Sequence, residues 1–209
     1  MRIAIIDYGL GNLRSVENAF QHLGAEAALT ESPADVAAAK AVVLPGVGAF
    51  GDGMAGLNQR GLTQALKEAH AAGKPGLGIC LGLQLFFESS EESPGAVGLG
   101  LFKGTVKKFQ GAPYSGPNAL KVPHMGWNTL AFNGPQPLFA GLADGEFVYF
   151  VHSYYVAPTN PEWVLASSDY GMKFCAAAGT GNLMGCQFHP EKSQRAGLKI
   201  LSNFIKMVG

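Results

Sequence analysis

The first half of the chain alternates short apolar runs with amphipathic segments, and this alternation limits the fold more than any other feature. Segments 13–23 and 62–69 carry apolar residues at helical spacing, with Asn12 as a predicted N-cap and with Gly24 and Gly73 as stops. Buried strands are predicted at 2–6, 41–45 and 76–79. Such alternation predicts a parallel sheet with helices on both faces.

The second half of the chain follows a different pattern. Strand-like runs lie at 105–109, 146–151, 163–168 and 183–188, separated by turn residues. They predict antiparallel strands added to the edge of the sheet. A last amphipathic helix carries Leu198, Leu201, Phe204 and Ile205 on one face. We therefore expect one α/β domain over residues 1–209, with an open, mostly parallel sheet flanked by helices and extended by antiparallel strands.

Charge and cysteine content exclude several classes of function. The chain has 15 Lys and Arg against 15 Asp and Glu, so no basic excess is available for nucleic acid or a membrane surface. No apolar run approaches the ~18 residues of a membrane span. Three cysteines are too few for a disulfide framework. We expect a cytoplasmic protein without a cofactor or a metal site.

The sharpest local signal is the segment Gly78-Ile79-Cys80-Leu81-Gly82, which lies where a short strand turns into a helical run from Leu83. A Cys in this position is typical of a nucleophile elbow. The flanking glycines permit the close backbone approach that the turn requires, and a helix N-terminus favours the thiolate. Cys175 and Cys186 lack such flanks and are expected to be small buried side chains.

A thiolate nucleophile requires a base and a group that orients the base. His189 follows a predicted buried strand, and Glu191 lies two residues later, on the same side of an extended chain. Pro190 is expected to keep this pair extended. His152 has no carboxylate nearby in sequence and is interpreted as a structural or binding histidine.

The remaining histidines receive other interpretations. His22 and His70 are placed on helices and are expected to be solvated, and His124 belongs to a separate motif. The loop Gly46-Val47-Gly48 follows the strand at 41–45 and is a candidate source of oxyanion donors. An ordinary tight turn remains an equal alternative for this loop.

These residues resemble the class I (triad) glutamine amidotransferases. The elbow around Cys80, followed far along the chain by His189-Pro190-Glu191, matches the order and spacing of that family's triad. The resemblance implies an open α/β sheet with added antiparallel strands and hydrolysis of L-glutamine. Four segments resemble the glutaminase subunits of imidazole glycerol phosphate synthases within this family: 5–13, 45–50, 122–128 and 188–193.

The resemblance also implies roles and a partner. Cys80 would be the nucleophile, His189 the base and Glu191 its orienting acid. Glutamine and its oxyanion would be held by Gly46, Val47, Gly48, Leu81, Gln84, Ser153 and Tyr154. The partner would be a (β/α)8-barrel cyclase of histidine biosynthesis that consumes the ammonia in a heterodimer. Asn12, Trp127 and Tyr149 would face that cyclase.

Three alternatives remain open from the sequence. The chain could be a glutaminase for anthranilate, guanylate or pyridoxal phosphate synthesis, although the oxyanion motif and the segment 124–128 oppose this. It could be a cysteine hydrolase of similar topology, for which a distant His-Pro-Glu is not expected. It could also be a binding module that keeps the fold without catalysis, which an intact triad opposes.

Overall fold

The main structural feature is an eleven-stranded sheet in the part of the chain that the computed structural model describes, residues 3–209. The strands are β1 (Ile3–Ile6), β2 (Ala27–Thr30), β3 (Ala41–Leu44), β4 (Gly76–Ile79), β5 (Ser89–Ser90), β6 (Gly104–Lys108), β7 (His124–Thr129), β8 (Ala131–Phe132), β9 (Phe147–His152), β10 (Tyr154–Pro158), β11 (Val164–Asp169), β12 (Lys173–Thr180) and β13 (Leu183–Cys186). The α-helices are α1 (Leu13–His22), α2 (Pro33–Ala38), α3 (Phe50–Gln59), α4 (Leu62–Ala71), α5 (Leu81–Leu85) and α6 (Gln194–Val208). Residue 2 of the first predicted strand lies outside the described range.

Five neighbouring strands form the parallel part of the sheet, in the order β2-β1-β3-β4-β13. Each run predicted as a buried strand in the first half of the chain is present. Because the strands alternate with helices along the chain, each crossover returns the chain to the same edge of the sheet. The parallel sheet expected from the alternation is confirmed.

Helices cover both faces of this sheet, as predicted. Along β1, Ile3 and Ile5 pack into a core shared with α1 and α6, whereas Ala4 and Ile6 pack into a second core with α2, α3 and α4. Successive strand residues point to opposite faces, so a strand buried on both sides is apolar at every position. Phe20 of α1 and Phe204 of α6 meet edge to face, with ring centroids 6.3 Å apart.

The antiparallel extension follows β13 in the order β12-β10-β6, and β11 pairs with β12. The strands predicted at 105–109 and 163–168 are therefore confirmed in their antiparallel setting. The antiparallel edge position predicted for the strand at 183–188 is wrong, because β13 lies inside the sheet and runs parallel to β4. The strand predicted at 146–151 is corrected too, since β9 pairs with β7 in a separate two-stranded sheet.

The two glycines predicted to end helices do so, whereas the residue predicted as an N-cap lacks the expected side-chain hydrogen bond. Gly24 and Gly73 have positive φ directly after α1 and α4, where a left-handed residue ends a helix. Asn12 occupies the N-cap position of α1, as predicted, but its side chain makes no capping hydrogen bond. The elbow helix begins at Leu81, two residues earlier than predicted. Within residues 3–209, no helix has the length and apolar character to cross a membrane.

Candidate active site

The candidate site lies at the carboxyl ends of β3, β4 and β13. These three strands are neighbours and parallel, so the loops that follow them meet at one edge of the sheet. Gly46 follows β3, Cys80 follows β4 and His189 follows β13. The Cys80 amide donates to the Cys186 carbonyl at 2.8 Å, and the Leu81 amide donates to the Gly46 carbonyl at 3.4 Å.

Cys80 has φ 54° and ψ −110°, which is strained for a residue with a side chain. This is the backbone geometry of a nucleophile elbow. A Cβ at Gly78 would lie 2.7 Å from the Leu83 nitrogen, and one at Gly82 would lie 1.7 Å from the Leu44 oxygen. Both flanking positions therefore require glycine, as the sequence predicted.

His189 and Glu191 meet as predicted, through a different backbone path. The His189 Nδ1 and Glu191 Oε1 atoms are 2.8 Å apart, and the two side chains are only 3% and 1% exposed. Residues Pro190–Lys192 form a 3-10 turn, so the expectation of a continuously extended segment is wrong. Proline is tolerated at the first position of such a turn, because its fixed φ suits it and no N–H is needed there.

The electrostatics of His189 favour a charged ring. Burial alone would lower its pKa, but interactions with the Cys80 sulfur and the Glu191 carboxylate outweigh burial and raise the pKa from 6.5 to about 10. The Nε2 atom is buried without a hydrogen-bond partner among the described residues, and the Cys80 sulfur is one of the neighbours that raise the pKa of the ring. A proton held on Nε2 is positioned to reach a leaving group bound at the sulfur.

The Gly46-Val47-Gly48 loop closes against the elbow. The Gly46 carbonyl accepts the Leu81 N–H, which is the amide directly after the nucleophile and the usual oxyanion donor of an elbow. On the other side of Gly46, a Cβ would lie 1.8 Å from the Tyr8 hydroxyl oxygen. In this conformation the loop occupies the Leu81 donor instead of adding a second donor to it.

A cavity of about 390 Å³ opens beside Cys80. The structure brings six of the predicted binding residues into its lining: Val47, Gly48, Leu81, Gln84, Ser153 and Tyr154. Gly46 lies behind them, buried against Tyr8. The Gln84 side-chain amide donates to the Tyr154 carbonyl at 3.1 Å, which connects the elbow helix to the opposite wall.

His152 also lines the cavity, and its bonds fit the interpretation as a structural histidine. Its Nδ1 lies 2.8 Å from the Tyr154 carbonyl oxygen, and its Nε2 lies 3.0 Å from His124 Nδ1. Burial lowers the pKa of His124 to about 4 and that of His152 to about 3, so both rings are neutral near pH 7. Neither ring has the carboxylate partner that His189 has in Glu191.

The other histidine and cysteine predictions can also be compared with the structure. His22 is exposed on α1, as expected, whereas His70 is half-buried at the end of α4. Cys175 and Cys186 are buried in strands, and burial raises the pKa of Cys175 to about 12. The three cysteines are unpaired.

Three residues of the site were missed by sequence reasoning. Glu92 lines the cavity and accepts the Phe50 N–H at 2.8 Å. Gln187 is fully buried and faces the Cys80 sulfur. Ser193 accepts the Tyr149 N–H and donates to the His189 carbonyl. Only Gln187 left a signal, as a polar amide in an apolar strand pattern.

The predicted partner-facing residues are accessible or partly accessible. Trp127 and Tyr149 are cross-strand neighbours in the two-stranded sheet of β7 and β9, with ring centroids 6.0 Å apart. Trp127 is 45% exposed, beside Met125 at 62% and Phe147 at 59%. Asn12 is exposed in the loop where Gly11 approaches Gly46. The Tyr149 carbonyl accepts the His189 N–H at 2.9 Å, so this sheet touches the active site.

Comparisons with known proteins extend these observations. A family model described as "Glutamine amidotransferase class-I" matches residues 4–208. The imidazole glycerol phosphate synthase subunit HisH of Moorella thermoacetica is 50% identical over 99% of this chain and 95% of its own length. The protein of the same name from Syntrophotalea carbinolica is 52% identical over 97% and 98%, and that from Methanosarcina acetivorans is 50% identical over 99% and 98%.

Solved structures of lower identity share the fold. A crystal structure of a glutamine amidotransferase superimposes with a TM-score of 0.76 at 17% identity, covering 100% of both chains. A structure titled as PurLQS from Thermotoga maritima gives a TM-score of 0.73 at 17% identity, covering 100% of this chain and 99% of that one. These similarities confirm the α/β fold with a mostly parallel sheet.

Proposed function

The chain belongs to the class-I glutamine amidotransferase family, and we propose that Cys80, His189 and Glu191 carry its hydrolysis of L-glutamine to glutamate and ammonia. The observation that carries this proposal is the meeting of the three side chains at one sheet edge, beside a cavity of about 390 Å³. The chain is the glutaminase subunit of an imidazole glycerol phosphate synthase and serves histidine biosynthesis, as its relatives' names indicate. This identity disfavours the cysteine hydrolase, the other glutaminases and the non-catalytic module.

The first half-reaction forms a thioester. The Cys80 thiolate attacks the side-chain amide carbon of glutamine, and the carbonyl oxygen becomes an oxyanion. The Leu81 N–H and an N–H of the Gly46-Val47-Gly48 loop stabilise this charge once Leu81 is released from the Gly46 carbonyl. The charged His189 donates its Nε2 proton to the leaving nitrogen, so that the C–N bond breaks and ammonia departs.

The second half-reaction restores the enzyme. His189, now neutral, takes a proton from a water molecule, and the resulting hydroxide attacks the thioester carbon. The C–S bond breaks, glutamate leaves, and the thiolate returns beside the protonated ring. Glu191 holds the Nδ1 side of the ring throughout and stabilises its positive charge.

The cavity suits the amino-acid end of the substrate. The Glu92 carboxylate in its wall offers a partner for the α-ammonium group. Gln84 and the segment Ser153-Tyr154 also line the cavity, where they enclose the glutamine side chain that reaches Cys80. No cofactor or metal is assigned to this chemistry, since the thiolate and the imidazole supply every step.

Ammonia released at Cys80 is consumed by a second polypeptide. The partner is a (β/α)8-barrel cyclase, which forms a heterodimer with this chain and makes imidazole glycerol phosphate and aminoimidazole carboxamide ribonucleotide. The exposed aromatic face of β7 and β9, with Trp127 and Tyr149, is the docking surface, and the exposed Asn12 is assigned to the same interface. Three unpaired cysteines are typical of a reducing compartment, which supports the cytoplasm.

The test is the substitution Cys80→Ser in the complex with the cyclase. Glutamine-dependent synthesis should fall by several powers of ten, because the nucleophile is lost. Synthesis from added ammonia should remain, because this route does not use the thiolate. Glutamine hydrolysis at a near wild-type rate in the variant would refute the assignment of the nucleophile.

A further inference from the structure

Gln187 is a polar side chain that the steps above leave unused. It follows β13, two residues before His189, and is 0% exposed. Its backbone amide donates to the Ala176 carbonyl at 2.8 Å, which anchors it to the sheet. A buried amide group is costly unless both of its ends are hydrogen-bonded, so the partners of this side chain reveal what it does.

The orientation of the Gln187 amide follows from a backbone carbonyl. The Tyr154 carbonyl can only accept, so the Gln84 atom 3.1 Å from it is the Nε2 donor. The same Nε2 lies 3.1 Å from Gln187, whose facing atom is therefore the acceptor Oε1. This leaves Gln187 Nε2 toward the Cys80 sulfur, at 3.8 Å. Reversing either amide would place like groups face to face.

We propose that Gln187 is a catalytic residue, whose side-chain N–H donates to the Cys80 sulfur and stabilises the thiolate that attacks glutamine. The proposal deepens the proposed function and rests on it. A hydrogen bond to a charged acceptor is stronger than one to a neutral acceptor, and more so in a buried site. The neutral thiol has a different partner, since the sulfur lies 4.0 Å from the Val151 carbonyl oxygen.

The hydrogen-bonded side chains of Gln187 and Gln84 also connect Cys80 to the wall of the cavity proposed to bind glutamine. Gln84 lines the cavity and holds both the Tyr154 carbonyl and the Gln187 oxygen. A movement of Gln84 or of the Tyr154 carbonyl would therefore turn the Gln187 amide that donates to the Cys80 sulfur. The titratable groups around this sulfur are His189 with Glu191, Tyr8 and Cys186.

The test measures alkylation of Cys80 by iodoacetamide as a function of pH, in two variants. Gln187→Glu keeps the acceptor toward Gln84 and removes the donor, whereas Gln187→Met removes both. In Gln187→Met, alkylation at pH 7 should slow about tenfold, the effect of losing one hydrogen bond to a charged group. The alkylation curve should move to higher pH in both variants, and further in Gln187→Glu because a carboxylate repels the thiolate.

A matched control is Asn203→Leu, which removes another buried amide: Asn203 lies on α6 and donates to the Leu138 and Ala140 carbonyls. This control should lower thermal stability and leave the alkylation curve unchanged. Folded Gln187 variants with the wild-type curve would overturn the proposal, because a purely structural role would alter stability alone. Alkylation does not require glutamine, so this result is independent of whether the wild-type chain hydrolyses it.

A second measurement uses the wild-type side chain at position 187. The Nε2 protons of Gln187 should shift in NMR spectra when the sulfur is deprotonated, and this shift should be absent in Cys80→Ala. If neither Gln187 variant folds, the NMR comparison between the wild type and Cys80→Ala decides whether the proposal holds. Side-chain resonances that do not respond to the ionisation of Cys80 would overturn the proposal.

Discussion

The triad side chains have distinct tasks that follow from their contacts. His189 faces the sulfur with Nε2, while Glu191 contacts only the opposite nitrogen, Nδ1, at 2.8 Å. Glu191 helps to raise the pKa of the ring, and in the proposed mechanism it orients the ring without taking the transferred proton. The strained backbone conformation of Cys80 costs conformational free energy. The close packing around Gly78 and Gly82 keeps Cys80 in this conformation.

We expect Glu191→Gln to lower glutamine turnover less than His189→Ala does. Loss of the base should cost several powers of ten in kcat, and loss of the orienting acid about one to two powers of ten less. Both variants are compared with the wild type in the cyclase complex, with ammonia-dependent synthesis as the control for assembly. Equal or reversed effects would contradict the assigned roles.

A pair of buried neutral histidines joins β7 and β9 at one end of their sheet, where β7 begins and β9 ends. His124 and His152 are paired in register, and Asn128 contacts the far nitrogen of His124 at 3.3 Å. Because the Tyr154 carbonyl is an acceptor, His152 carries its proton on Nδ1, and His124 then donates from Nδ1. Protonating either ring would break this arrangement, since a charged ring cannot accept.

This pair predicts a loss of stability in acid. The folded pKa values, about 4 and about 3, lie below the unfolded value of 6.5. As the pH falls below about 6.5, the unfolded chain therefore binds protons that the folded chain refuses, and the free energy of unfolding decreases. Each of the two histidines lowers the free energy of unfolding by up to about 1.4 kcal/mol per pH unit, until the pH reaches the folded pKa of that histidine.

Urea unfolding between pH 7 and pH 4 checks this expectation. In His124→Asn the side-chain amide replaces the Nδ1 donor without titrating, so stability should depend less on pH in this range. The control is His22→Asn, which makes the same substitution at a histidine that is exposed on α1. A slope in His124→Asn equal to that of the wild type would contradict the assignment.

The loop after β3 is the element best placed to regulate turnover. The Gly46 carbonyl holds the Leu81 N–H, so a turn of the Gly46–Val47 peptide would release one oxyanion donor and present another. This movement changes ψ of Gly46 and φ of Val47, and the first change is eased because glycine has no Cβ. A missing oxyanion donor costs roughly 10²–10³ in rate, so we expect the isolated chain to be slow.

The corresponding experiment compares glutamine turnover by the isolated chain, by its complex with the cyclase, and by the complex with the cyclase substrate bound. Turnover should rise by about 10²–10³ between the first state and the last. Gly48→Ala restricts the loop and should reduce the activation factor. Similar rates in the three wild-type states would rule out a switch anywhere in the chain.

At the scale of the whole molecule, an apolar face lies beside the proposed active site. On β7 and β9, alternate residues point outward, and these include Met125, Trp127, Phe147 and Tyr149. The inward residues of the same strands pack into the core. Because the His189 amide is bonded to β9, binding at this face acts close to the triad.

Trp127→Ala should weaken binding to the cyclase by about thirtyfold, equivalent to about 2 kcal/mol at the centre of an interface. The isolated variant should stay folded, since Trp127 is 45% exposed. Titration calorimetry measures the affinity, and Val97→Ala provides an exposed apolar control on the loop between β5 and β6. Unfolding of the Trp127 variant without a selective loss of affinity would show that Trp127 is a core residue.

The sequence alone predicted the parallel sheet, its two layers of helices, the elbow at Cys80 and the pairing of His189 with Glu191. These features are local: hydrophobic periodicity, a glycine on each side of Cys80, and a two-residue separation. They arise from steric and burial rules that act over a few residues, which is why a sequence pattern carries them.

Tertiary structure decided the features that join distant segments. Only strand order places β13 parallel to β4, and only this order brings Gln187 to the Cys80 sulfur, Glu92 to the cavity and Gly46 to the Leu81 amide. The separate sheet of β7 and β9 likewise depends on a pairing between residues 18 or more positions apart, such as Thr129 and Phe147. Hydrogen bonds of this kind depend on positions in space, and chain periodicity contains no information about which distant partner a strand or a side chain will meet.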